Sequence, residues 1–128
     1  MKRIAYLAVI LAISFATGCS KIEIKEKFLE ESMWTGTLSH SDADSDEFDS
    51  ISFEFHKGYS DFSYLEYGSN VTEDGKALYT VSENEITFSK ANDLIDGTWI
   101  VTEKKGSELV MERQHKTKLL TIELIKRR

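Results

Sequence analysis

Asp42, Asp44 and Asp46 alternate in the stretch Ser41 to Asp49 (SDADSDEFD), the spacing with which a calcium loop presents its first oxygen ligands. Such a loop needs a glycine at its sixth position and a bidentate glutamate at its twelfth, and here those places hold Glu47 and Phe53. An EF-hand is therefore excluded. A looser, oxygen-rich calcium site stays open beside the commoner meaning of such a run, a solvated loop whose Asp42, Asp44, Asp46 and Asp49 meet a cation or a basic partner. The three histidines, His40, His56 and His115, have no H-x-x-x-H spacing. His40 in the acidic loop and His115 in a later turn at the same end can meet as metal ligands. Unclustered histidines are expected to be solvent-exposed, so no metal and no cofactor is assigned. With no G-x-S-x-G, no glycine-rich phosphate loop and no second cysteine, no catalytic residue is assigned and the chain is not expected to be an enzyme.

The single cysteine, Cys19, directly follows an apolar run. Lys2 and Arg3 precede twelve apolar or small residues, Ile4 to Phe15, and then Ala16, Thr17 and Gly18. This is the layout of a secretory signal peptide, too short for a transmembrane helix of about 20 residues. Ala16-Thr17-Gly18-Cys19 resembles the bacterial lipobox, although Ala16 stands where leucine is commonest. The resemblance implies cleavage after residue 18, a covalent lipid such as palmitate on Cys19, and anchorage to the cell envelope. An ordinary signal peptide would leave a lone thiol in an oxidising compartment. Each buried acyl methylene contributes about 0.8 kcal/mol, so two or three chains hold a protein to a bilayer almost permanently. Ser20 replaces the aspartate that commonly retains lipoproteins in the inner membrane, which points to the outer membrane.

Removing residues 1–18 takes away Lys2 and Arg3 and shifts the net charge from −6 to −8. An acidic domain of this kind is not expected to bind nucleic acid, which requires clustered Lys and Arg. The remaining 110 residues suffice for one small domain. No intrachain disulfide can form, so packing must hold the fold, and twelve aromatic residues are present to supply it. Proline is absent, as suits a chain of paired strands.

The elements that must position these residues read as short strands. In Ser50 to His56, Ile51, Phe53 and Phe55 alternate with polar residues, the period of a half-buried strand. Similar segments are Ser32–Leu38, Ser60–Tyr67, Lys76–Val81, Glu85–Ser89, Thr98–Glu103, Glu108–Arg113 and Lys118–Ile125. No helical stretch is long enough to connect parallel neighbours. The expectation is all-β: eight antiparallel strands in an up-and-down barrel. Residues 19–31 are read as a lipidated tether or a short helix, with Phe28 and Leu29 able to plug the nearby barrel end. Tight turns at Lys57-Gly58, Glu83-Asn84 and 104–107 mark one end of the barrel. Longer connections at 39–49, 68–75 and 90–97 mark the other.

From residue 32 to 128 this pattern resembles the lipocalin-like, or calycin-like, domains of bacterial lipoproteins. The resemblance rests on the strand count, the loop asymmetry, Met33-Trp34-Thr35-Gly36 and Gly97-Thr98-Trp99. The G-x-W motif of typical lipocalins lies in the first strand, whereas here it falls in the sixth. The interior is expected to hold Trp34, Leu38, Ile51, Phe53, Phe55, Phe62, Tyr64, Tyr79, Val81, Ile86, Phe88, Leu109, Met111, Leu120, Ile122 and Leu124. An eight-stranded barrel is filled by side chains or holds one small ligand.

Two function classes follow. The first is a non-enzymatic, membrane-anchored protein binding a small apolar or amphipathic ligand, with Trp34, Phe55, Tyr64 and Tyr79 as lining candidates. The second is a protein-interaction or enzyme-inhibitor module that uses its acidic long-loop end on a basic partner. Small barrel lipoproteins that inhibit lysozyme offer a loose parallel. A monomer is expected, anchored through its lipid, with the tight-turn end towards the membrane and its Lys and Arg near anionic head groups.

Overall fold

Alternation along each strand decides which side chains meet inside. In Asp49–Phe55 the residues Asp49, Ile51, Phe53 and Phe55 are buried, while Ser50, Ser52 and Glu54 face outwards. The computed structural model describes residues 22–42 and 47–128. A short helix, α1 (Glu26–Leu29), precedes eight strands: β1 (Ser32–His40), β2 (Asp49–Phe55), β3 (Tyr59–Leu65), β4 (Glu73–Ser82), β5 (Glu85–Ser89), β6 (Gly97–Lys105), β7 (Glu108–His115) and β8 (Lys118–Lys126). Each strand pairs antiparallel with the next, and β8 returns to β1, so the sheet closes as an up-and-down barrel. The all-β expectation is borne out. Among the described residues, no helix is long and apolar enough to cross a membrane.

The register stacks the interior in layers. Trp34 lies opposite Phe53, Phe53 opposite Phe62, and Leu38 opposite Ile122, which in turn faces Met111. Phe53 stacks on Phe88 at 5.2 Å and on Phe55 at 5.5 Å, and Tyr79 meets Phe55 edge-on at 5.1 Å. Every residue expected inside is buried except Val81, which sits where β4 runs out into the Glu83-Asn84 turn and is only half covered. Ile24, Leu29, Ala77, Ile95, Trp99 and Val101 complete the core.

Both ends of the barrel are covered. At the tight-turn end, Ile24 and Leu29 are buried, the Ile24 N–H donates to Glu83 O at 2.6 Å, and the Glu31 N–H donates to Phe55 O at 2.9 Å. Trp34 lies beneath this cover, with Phe28 at 5.7 Å and its indole N–H donating to Ser32 Oγ at 2.8 Å. At the opposite end the β5–β6 loop folds inward. Its Ile95 is buried and accepts the Trp99 indole N–H at 2.9 Å, while the Arg113 guanidinium lies over the Trp99 ring at 5.2 Å.

Only β5 keeps both of its expected bounds, and two of the shifts change the long-loop end. β4 begins at Glu73, because Glu73 and Asp74 pair with Tyr64 and Ser63, so the β3–β4 loop is shorter than expected. His115 pairs with Lys118 as the last residue of β7, leaving only Lys116 and Thr117 in the turn.

Closure depends on a close approach of β1 to β8. A Cβ placed on Gly36 would lie 1.7 Å from the carbonyl oxygen of Glu123, inside any contact that backbone can tolerate. Gly36→Ala is expected to force the two strands apart and lower the unfolding free energy by about 3 kcal/mol, read from a urea midpoint. Ala at Gly58, whose Cβ would meet nothing within 4 Å but whose φ is +86°, should cost less.

Candidate functional site

The long-loop end is built around a carboxylate that sequence reasoning assigned to solvent. Asp49 opens β2 with its side chain turned inward and buried. The Tyr64 hydroxyl donates to its Oδ2 at 2.5 Å, and the Tyr67 backbone N–H donates to Oδ1 at 2.7 Å. His40 Nε2 stands 3.5 Å from Oδ2, and His40 Nδ1 is buried without a partner. Asp49 thus ties the end of β1 to the start of the β3–β4 loop. This departs from the expected loop contact because a strand start, unlike a loop, fixes which way the side chain points.

Burial first, and then the hydrogen bond and charge of Asp49, push the Tyr64 phenol well above its ordinary range, so it stays a neutral donor. Tyr79 is pushed up to about 12, by burial first and then by the charges of Glu26, Glu30 and Glu31. Its hydroxyl donates to His56 O at 2.6 Å. Of the four lining candidates, Phe55 and Tyr79 are in contact in the core beside the β2–β3 turn. Trp34 lies under α1 and Tyr64 reaches the long-loop end. All four side chains are engaged in packing or hydrogen bonds within the barrel.

Of the acidic residues, Asp42 is exposed and stands 3.7 Å from Lys118 Nζ. Asp44 and Asp46 lie outside the described residues, as does Cys19. The β1–β2 and β3–β4 loops at this end expose apolar side chains: Phe48, Tyr67 and Val71 are 44%, 57% and 67% exposed. They are flanked along the chain by Glu47, Glu66, Glu73 and Asp74. Sequence reasoning passed over these three. For Phe48 and Val71 the signal was an apolar residue inside a loop with no strand neighbour to pack on, whereas Tyr67 was expected to end the third strand, which stops at Leu65.

The histidines are not the exposed groups that their spacing suggested. Each is half-buried and beside a different aspartate: His40 by Asp49, His56 by Asp61 at 3.2 Å, and His115 by Asp93 at 3.7 Å. His40 and His115 therefore serve different carboxylates. On the outer wall, a groove of about 500 Å³ runs over β2, β3 and β4, lined by Ser52, Glu54, Asp61, Ser63, Asp74 and Lys76 among others.

The architecture defines the class, a closed eight-stranded up-and-down barrel compatible with a lipocalin-like fold. No family model matches the chain, and neither a curated protein nor a solved structure matches it.

Two buried tyrosines with raised pKa values make alkali a specific denaturant. In the unfolded chain their phenols lose protons near pH 10, whereas the folded chain retains them, so the unfolded state binds fewer protons. The stability contribution is fully present below pH 10 and should fall above it by about 1.4 kcal/mol per pH unit for each group. It should level off for Tyr79 near pH 12. Urea melts at stepped alkaline pH read this slope, and Tyr64→Phe should roughly halve it. At pH 7 the same substitution should cost about 2 kcal/mol, because Asp49 loses a charge-assisted hydrogen bond.

Proposed function

We propose that this protein is a non-enzymatic, lipid-anchored interaction module of the cell envelope, holding a basic protein partner at its long-loop end. The observation that carries the reading is the exposed trio Phe48, Tyr67 and Val71 set among carboxylates and braced from below by Asp49. Apolar side chains of this kind supply affinity at an interface core, and the surrounding acids select a basic partner and speed its approach. An enzyme whose basic surface docks here would be inhibited if its active site lay beneath the contact.

Aromatic packing inside the barrel supports this reading over a small ligand in the lumen. Phe53, Phe55, Tyr79 and Phe88 occupy one another's contact distance across the interior. The barrel then serves as a rigid stand. The anchor part of the proposal rests on Cys19 and the apolar run before it. Only four residues separate Cys19 from Ile24, which is bonded to the tight-turn end, so that end sits within about 18 Å of the Cys19 backbone. The loops then face away from the bilayer.

The test pairs two measurements. Palmitate labelling should mark the wild-type protein and be lost in Cys19→Ser. Binding to a panel of basic extracytoplasmic proteins, lysozyme first, should weaken with salt and fall at least about tenfold in Phe48→Ser with Tyr67→Ser. Salt-independent binding, or binding indifferent to these substitutions, would overturn the docking surface. A reproducible small-molecule adduct in non-denaturing mass spectrometry, lost in Phe55→Leu, would move the function into the lumen.

A further inference from the structure

Away from the loops, the outer wall beside the β2–β3 turn brings together three side chains of metal-ligating type. We propose that Glu54, His56 and Asp61 form a binding site for a divalent transition-metal ion, with zinc the reference occupant. One ligand atom from each lies within 4.8 Å of the others. The site is independent of the docking surface and of the lipid anchor.

The strand register makes the cluster. Glu54 lies directly opposite Asp61 across β2 and β3, and His56 follows Glu54 by two residues on the same face. Like charges directly opposite each other destabilise a sheet unless a cation lies between or beside them. Asp61 Oδ2 is already 3.2 Å from His56 Nε2. Two ligands on a tetrahedral ion with bonds near 2.0–2.1 Å stand about 3.3 Å apart, so the spacing of this pair already fits, and the ion takes the place of the proton between them. The imidazole is held in orientation by the Tyr59 ring, stacked on it at 4.7 Å, and its backbone carbonyl by the Tyr79 hydroxyl. One imidazole and two carboxylates suit a zinc-like ion with water completing the shell, whereas an all-oxygen shell would suit calcium.

Two cations now stand beside these carboxylates. Lys76 Nζ lies 2.6 Å from Asp61 Oδ1, the oxygen turned away from His56, and an Arg128 nitrogen lies 2.9 Å from Glu54 Oε2. Both side chains are largely exposed, so an incoming ion displaces them into water at small cost. Lys76 and Arg128 therefore compete with the ion for the same charge.

That competition gives the proposal a test with opposite signs. The full chain carrying Cys19→Ser, which removes the only thiol, is held in detergent and titrated with zinc chloride in a calorimeter. One saturable site is expected. His56→Gln and Asp61→Asn should each weaken it at least about tenfold, His115→Gln should leave it unchanged, and Lys76→Gln should tighten it several-fold. Circular dichroism melts identify any variant that fails to fold, and the tightening in Lys76→Gln stands independently of the ligand variants. No saturable heat up to millimolar zinc would overturn the site. So would binding equal to the parent in folded His56→Gln, or weakened binding in Lys76→Gln.

Discussion

The width of an eight-stranded lumen is the constraint on which the rest of this structure depends. Such a barrel is just wide enough to be filled by its own side chains, so each inward residue must find a partner across the axis. Here Phe53, Phe55, Phe88 and Tyr79 do so ring against ring. Each buried aromatic contributes about 1.5–3 kcal/mol through removal from water, with a smaller addition from ring geometry. A chain with one cysteine has no intrachain cross-link to set against chain entropy, so this packing carries the fold. A filled centre leaves the ends as the remaining problem. Each is solved by an indole whose N–H is satisfied locally, Trp34 through Ser32 under α1, and Trp99 through Ile95 under the β5–β6 loop.

The same need to satisfy buried polar groups shapes the surface. Tyr64 reaches from the core to Asp49, and Asp49 in turn captures the backbone N–H of Tyr67. A loop that would otherwise move freely is pinned at its root, and the apolar side chains it carries are presented from a fixed base. Preorganisation of this kind reduces the ordering cost of association. At the other end Tyr79 bonds the β2–β3 turn twice, its backbone N–H donating to Gly58 O and its hydroxyl to His56 O, which steadies that turn. Core tyrosines thus connect the hydrophobic interior to the two functional surfaces proposed for the outside.

Much of the architecture was legible because period-two alternation is a strong signal. The Ile51, Phe53, Phe55 series marked β2, and Leu120, Ile122, Leu124 marked β8. Legibility failed where position along a strand outweighs residue type. Val81 has the composition of a core residue, but the nearby turn half uncovers it. Asp49 has the composition of a loop residue, but its place at the start of β2 turns it inward. The cover at each end was harder still: Leu29 was anticipated as a plug, whereas Ile24 and Ile95 have no periodic context. The Glu54, His56, Asp61 cluster was invisible as a motif, because Glu54 and Asp61 become neighbours only through the β2–β3 register.

Charge is distributed unevenly along the barrel axis, and this gives the two ends different physics. At the tight-turn end, Lys25, Lys27, Lys57, Lys104, Lys105 and the last three residues stand among a similar number of glutamates. Lys104 lies over the Phe28 ring at 4.5 Å, so part of that positive charge rests on the cover itself. The long-loop end carries most of the net negative charge, with Lys90, Lys116 and Lys118 as its local offset. For a chain held at Cys19 above an anionic bilayer, repulsion drives the acidic end outward and the short tether keeps the near-neutral end inward. Orientation then follows from a field gradient acting on a rigid body, without any specific contact between the barrel and lipid. A rigid, filled barrel suits this, since a body that deformed would not transmit the torque from one end to the other.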